Sequence, residues 1–445
     1  MNQTTPADRT AAPPTERRTW RSFVASSEVD TRLAGMVAAL LAIWLIFHAL
    51  TGGGFLTSRN LWNLSVQSAS IAIMATGMVL IIVSRNIDLS VGSLLGFLGY
   101  VMAVVQAHWI PETFGFGFDR PFTWVVALAV GIVLGAAIGA VQGAVVAYGG
   151  VPAFIVTLGG FLVWRGLIFR MGEQGKTISP LDSTFQLLGG GPDGSLGATR
   201  SWLLGAIACA GVVVSVWLSR RRRRRYDLAT RPMAIDVGIA VVACAAILVG
   251  IGLVAVGYES PIDGSPTGVA NPVVILILVT LFVTYLARRR RFGRYVYAIG
   301  GNPEAAELGG INTRRTIMMT FVLMGVLCAV AGAVQTARLN AAVTNLGIQN
   351  ELDVISAAVI GGTSFAGGIG TISGAVLGAV IMQSLRSGMV LLRIDSPSQD
   401  IVVGVVLVTS VAIDASLRRR DRRAVVTALL VGLAVAALII QTGRQ

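Results

Sequence analysis

The dominant constraint on this chain is a succession of long apolar runs, each near the length a helix needs to cross a lipid bilayer. A hydrocarbon core about 30 Å thick takes roughly 20 helical residues. Such runs lie at 33–50, 62–83, 89–107, 122–148, 151–169, 201–219, 235–257, 271–287 and 316–337. A glycine-rich stretch at 353–386 follows, then runs at 400–416 and 424–441. Lipid offers no partner to a backbone N–H or C=O, so only helices and closed barrels span it. Barrel strands read as short alternating segments, whereas these runs are long and continuous. The expected fold is an all-α, polytopic transmembrane helical bundle of about 11–13 membrane segments.

Charge is scarce and unevenly placed. Charged residues make up 13% of the 445, against roughly a quarter in soluble domains. The mean hydropathy of +0.75 agrees. The net charge of +13 raises the question of a nucleic-acid partner. Its arginines, however, cluster at the ends of apolar runs, where they set topology and anchor the chain to anionic membrane lipid at about 1 kcal/mol each. No nucleic acid is expected. Lys176 is the one lysine. Cys209, Cys244 and Cys328 all lie in apolar runs, and His48 and His108 stand alone. No metal site or disulfide framework is expected from that spacing.

Residues 1–30 are polar, with no apolar stretch of the kind a signal peptide needs, and are expected to form a disordered cytoplasmic tail. Arg17, Arg18, Arg21 and Arg32 would hold it inside. Arg220–Arg225 with Arg231, Arg288–Arg291 with Arg294, Arg314 and Arg315, and finally Arg418–Arg423 (broken by Asp421) should share the cytoplasmic face. Simple alternation satisfies the first two clusters. It satisfies the third if 353–386 makes two passes or a re-entrant hairpin around Gly361, Gly362, Gly367, Gly368 and Gly370. Such glycines break helices at membrane depth or let them pack closely, and both readings stay open. The membrane-embedded body is thus expected to be 31–418, with a basic linker and an additional C-terminal helix in 419–445. The stretch 170–200 reads as an external loop.

The most informative stretch lies in the basic loop 288–315. Asn302 is a good N-cap, and Pro303 suits the first helical position, where a missing N–H costs nothing. Glu304 and Glu307 face the positive helix end, and Gly309 and Gly310 permit a left-handed stop. A helix of about two turns is marginal alone in water, so a docking partner is one expectation and a capped loop without a partner is the other.

The run Glu304-Ala305-Ala306 followed by Gly310-Ile311 resembles the coupling-loop motif of ABC importer permeases. Asn86-Ile87-Asp88-Leu89-Ser90-Val91-Gly92-Ser93, the stretch Val151–Gly160 and the stretch Glu351–Ser364 resemble, in the same order, signatures of the ribose and xylose branch of sugar permeases. The resemblance spans about 60–418. Within that branch Gly175-Lys176-Thr177-Ile178-Ser179-Pro180 and the extra segments at 200–260 look most like xylose permeases. Departures are Asn86, where glycine or another small or acidic residue is common, the longer basic tail and the final segment. The resemblance implies a permease in the bacterial cytoplasmic membrane that performs no covalent chemistry and needs no cofactor. It implies a separate cytoplasmic ABC ATPase that grips Asn302, Pro303, Glu304, Ala305, Ala306, Gly310 and Ile311. It also implies an extracytoplasmic sugar-binding protein and a permease dimer.

Polar residues inside apolar runs are candidates for the pathway or gate. Asp88, with Ser90 and Ser93, begins a membrane segment, and a mid-bilayer charge costs at least about 2.5–3.5 kcal/mol on insertion scales. It therefore caps its helix, with Arg85 as a possible neighbour, or lines the pathway. Gln67, Gln142 and Thr157 either bond neighbouring helices or offer hydrogen bonds to a hydroxylated solute. Arg165 needs a carbonyl or carboxylate partner, or a pathway position. Two phosphate-like patterns fail. Gly175-Lys176-Thr177 lacks the earlier Walker glycine, whose place holds Arg170, and Gly189, Gly191 and Gly194 are interrupted by Pro192 and Asp193 with no preceding strand. ATP hydrolysis is expected elsewhere. An ion-coupled secondary transporter would place carboxylates or histidines deep in its helices and often show internal repeats. A membrane enzyme would cluster nucleophiles or metal ligands at one face. Neither pattern is visible.

Overall fold

A computed structural model of the chain describes residues 31–419 apart from 116, 173–174, 228–231, 254–256 and 261–263. The expected tail at 1–30, the helix at 424–441 and Arg231 lie outside the described residues.

Apolar runs become helices. In order they are α1 (Thr31–Leu50), α2 (Ser58–Val83), α3 (Val91–Val104), α4 (Thr123–Ala147), α5 (Ala153–Met171), α6 (Gly197–Arg225) and α7 (Met233–Ile251). Then come α8 (Asn271–Arg289), α9 (Arg291–Gly301), α10 (Pro303–Leu308), α11 (Thr313–Leu339), α12 (Asn350–Ile360), α13 (Ile372–Leu391) and α14 (Ser396–Arg419). Helix α3 continues through one π-helical turn, Val105–Trp109, to Phe114. Among the described residues ten helices are long and apolar enough to cross a membrane, and α14 adds the shorter apolar stretch Ser396–Ala412. This is a multi-pass membrane protein.

Burial divides the spans. Helix α2 is almost wholly enclosed, and α3 and α11 are largely so. Helices α4–α8 instead turn rows such as Val133, Leu162, Ile207, Val242 and Leu281 outward, as lipid-facing helices do. Glycine lets the core close. The backbones of Gly135 and Gly325 touch where α4 crosses α11, and a Cβ on either would strike the other's carbonyl oxygen. Close approach through small residues is a recurrent way to pack helices in lipid.

The glycine-rich region shows both anticipated features. After α11 the chain turns back as irregular backbone at 340–349, then forms α12. At 1.5 Å per residue, the 11 residues of α12 cover about half the bilayer core. A break at 361–371 precedes α13, whose 20 residues are enough to span. Gly361 and Gly378 also lie against the facing backbones of α13 and α12, so close packing and chain reversal share one region. The break meets the basic loop: Gly368 N–H donates to the carbonyl of Val83, at 3.0 Å, and Gly300 lies against both. Counted as alternating spans, this order agrees with the expectation that Arg220–Arg225, Arg288–Arg291 with Arg294, Arg314 and Arg315, and the end of α14 share one face.

Candidate functional site

On that basic face the short helix forms as its sequence dictates. Asn302 caps α10, its side-chain oxygen accepting from Ala305 N–H at 3.0 Å, with Pro303 next and Glu304 in the first turn. Gly309 N–H donates to Ala305 O and Ile311 N–H to Ala306 O, while Gly310 takes a left-handed φ of 80°. Asn312 then caps α11 by accepting from Arg315 N–H at 2.9 Å. Glu304, Ala305, Glu307 and Leu308 point outward, and Leu308 is 90% exposed. Ala306 is buried. A bulky side chain there would therefore push α10 off its own base before it met any partner.

That base is α9, an amphipathic helix that sequence reading left inside the loop. It buries Gly293, Val296, Ile299 and Gly300. Tyr297 Oη donates to Gly370 O at 2.8 Å, and burial pushes the Tyr297 phenol above its ordinary range. Arg85 completes the junction, with Nε donating to Gly300 O at 2.8 Å and Nη2 to Gly301 O at 2.9 Å. A cation on the last carbonyls of a helix is stabilising. Arg85 is thus spent on α9 rather than beside Asp88. Through Arg85, Gly300, Gly368 and Gly370, the loop is fastened to the end of α2 and to the break before α13.

A second polar group lies inside the bundle, where the chain unwinds between α2 and α3. Asp88 is 1% exposed. Its Oδ1 accepts from Ser90 N–H at 2.9 Å and from Ser90 Oγ at 2.7 Å. This turn, two residues long, precedes α3, whose N-cap position is Ser90. Gln142 Nε2 on α4 donates to Ser90 Oγ at 3.2 Å, and Ser93 Oγ donates back to Ser90 O. On α5, Thr157 Oγ1 donates to Ala153 O at 2.9 Å and lies 3.3 Å from Ile87 O. Gly160 lets α5 approach, since a Cβ there would strike Gln142 Nε2 and lie 3.2 Å from Trp164 Nε1. Two hydrogen bonds compensate much of the cost of burying the Asp88 carboxylate.

Five of the seven polar candidates, Asp88, Ser90, Ser93, Gln142 and Thr157, therefore meet. Arg165 lies farther along α5, where Nη1 donates to Leu346 O at 3.0 Å and approaches Thr344 O at 3.3 Å. Carbonyls of the irregular 340–349 segment thus partner Nη1, while Nη2 is buried without one. Gln67 is apart, accepting from Gln383 Nε2 at 2.8 Å across α2 and α13. Sequence reading did not single out Trp164, Glu351, Asp353 or Arg386. Asp353 on α12 pairs with Arg386 Nε on α13 at 2.9 Å, and Asp400 on α14 stands 3.7 Å from Arg386 Nη1. Acidic residues near a run's apparent end gave no signal that the chain would carry them inside.

Comparison with known proteins joins these features. The family model described as branched-chain amino acid transport system / permease component matches residues 60–411. The chain is 38% identical to the xylose transport system permease protein XylH of Escherichia coli K12, over 95% of this chain and all of that protein. It is likewise 38% identical to the Haemophilus influenzae XylH, over 88% of this chain and 98% of that protein. Identity to the E. coli ribose import permease protein RbsC is 34%, over 84% of this chain and 91% of that protein. No solved structure matches the chain. A many-helix bundle whose matched region includes both the basic loop and the interior polar group has one reading: the chain is a transport permease and belongs to the branched-chain amino acid transport system permease component family.

Proposed function

We propose that this chain is the permease subunit of an ATP-binding-cassette importer for a monosaccharide, xylose or a similar sugar. It forms the translocation pathway and borrows its energy from a separate ATPase. The relatives carry the sugar assignment: the names of three of them specify xylose or ribose. The observation that carries the coupling is the outward face of α10, with Glu304, Ala305, Glu307 and an isolated exposed Leu308. A two-turn helix with one bare leucine, rigidly based on α9, suits insertion into a groove of a soluble partner.

In this reading the basic face is cytoplasmic and the amino terminus lies inside. ATP binding moves α10 together with α9. The Gly300 junction passes the displacement to the end of α2 and the break before α13, so the bundle alternates between outward and inward access. Asp88, Ser90, Ser93, Gln142, Thr157 and Arg165 supply polar contacts on the pathway, and Gln67 joins α2 to α13. A sugar-binding protein delivers the solute to the opposite face. Two permease copies enclose the pathway, and anionic lipid meets the arginine clusters.

The family description favours one second reading, an amino-acid solute. Tracer uptake into vesicles carrying the permease, its ATPase and its binding protein decides between them. Accumulation of D-xylose or D-ribose supports the sugar reading, and accumulation of leucine with neither sugar overturns it.

A further inference from the structure

Where α5, the start of α3 and the start of α12 meet, the interior holds charged groups that do not fully satisfy one another. Glu351 sits in the first turn of α12, 9% exposed, and its Oε2 is buried without a hydrogen-bond partner. Across the junction Arg165 spends Nη1 on Leu346 O, but Nη2 is buried and unpartnered. The two charges act on one another electrostatically, yet no ion pair of 4 Å or less joins them. One helical position from Arg165, the Trp164 indole N–H is also buried without a partner, while its ring stacks on Phe97 with centroids 5.4 Å apart. Glycine makes the junction possible. A Cβ on Gly92 would strike Glu351 Oε2 and lie 2.6 Å from Gly347 O.

An unmatched buried donor or acceptor costs about 1–3 kcal/mol, and more when charged. Nearly all such groups in native proteins have partners. Here two donors and one acceptor are left over on adjoining elements. Direct Arg–Glu pairing, the obvious remedy, is not taken. A hydroxyl group fits both needs, because its oxygen accepts while its hydrogen donates. Arg165 and Trp164 are half-buried on α5 and Glu351 is buried on α12, but the three unpartnered atoms themselves all lie in the interior.

We propose that Arg165, Glu351 and Trp164 form an intramembrane binding subsite for a small neutral polyol, in which adjacent hydroxyls bridge guanidinium and carboxylate. Arg165 Nη2–H and Trp164 Nε1–H donate to ligand oxygens, and a ligand O–H donates to Glu351. Phe97 and the indole ring supply an apolar wall. This rests on the sugar-importer reading and names residues that select the solute inside the permease. A charged solute fits worse, since it would find an opposite and a like charge together.

The test is a saturation-transfer NMR titration of D-xylose against the purified permease in lipid nanodiscs, without binding protein. Glu351→Gln keeps the shape and removes the charge, and Trp164→Phe keeps the ring packing and removes the N–H. Expected is a saturable signal that each variant weakens at least 10-fold while gel filtration stays monodisperse. Unchanged titration in both variants overturns the subsite, as does absence of any saturable signal when the assembled importer, assayed in parallel, transports D-xylose. If the assembled importer moves no sugar, the sugar-importer reading itself fails, and the subsite falls with it.

Discussion

Two neighbouring glycines at the base of the coupling loop give opposite expectations, and the contrast can be worked from geometry. Gly300 and Gly301 end the same helix. A Cβ on Gly300 would strike the carbonyl oxygen of Val83 and come 2.5 Å from the nitrogen of Gly368, whereas a Cβ on Gly301 meets nothing within 4 Å. Gly300→Ala must therefore separate α9 from α2. Overpacking costs about 1–3 kcal/mol, and loss of the Gly368 N–H bond to Val83 O adds about 0.5–1.5 kcal/mol. The expected loss is about 1.5–4.5 kcal/mol. Gly301→Ala gains from alanine's higher helix propensity, by up to about 1 kcal/mol at this helix end. Cys328 is fully buried and can report opening of the core. In a background with Cys209→Ser and Cys244→Ser, thermal unfolding followed by a thiol-reactive dye should show a lower midpoint for Gly300→Ala and an unchanged or higher one for Gly301→Ala. ATP-driven uptake should fall with the first and persist with the second. Equal behaviour of the two variants would refute the three-way junction and the transmission built on it.

Other expectations follow from the same structure. Leu308→Asp, at the exposed tip of α10, should abolish uptake and co-purification of the ATPase while membrane insertion stays normal. Full co-purification would show that the tip is not the docking point. Asn302→Ala removes a cap worth about 0.5–2 kcal/mol, and hydrogen exchange should speed at Ala305–Gly309 while α11 stays protected. Arg386→Ala leaves the buried Asp353 carboxylate without its partner, at about 3–5 kcal/mol. Its thermal midpoint should fall well below that of Arg85→Ala, whose guanidinium contacts carbonyls at the surface, and equal midpoints would count against that ranking.

What the sequence made legible was whatever depends on local spacing. Runs such as 122–148 and 271–287 become α4 and α8 within a few residues, because length and apolarity suffice to specify a spanning helix. The cap at Asn302 and the stop at Gly310 were readable for the same reason: both are set within a turn of chain. Helix α9 was hidden because Arg290, Arg291 and Arg294 look like a topology cluster, and its buried face appears only when Val296 and Gly300 are set against α2. The interior polar group was half legible. Asp88, Gln142 and Thr157 betray themselves as polar atoms in apolar runs, but nothing local says that an unwound segment joins them. Glu351 and Asp353 were harder still. Their run looks like an ordinary helix start, and the irregular backbone at 340–349 that carries them inward is held by contacts with Ile178 and Arg165, more than 150 residues earlier.

The claim on which the account turns is that α10 is a lever driven from outside the chain. Its direct measurement is sugar accumulation against a gradient in proteoliposomes treated with a proton uncoupler, with and without the ATPase, binding protein and ATP. The account predicts uphill D-xylose uptake only when all three are present, indifferent to the uncoupler and absent in Leu308→Asp. Uphill uptake by the permease alone, or its collapse with the proton gradient, would contradict it.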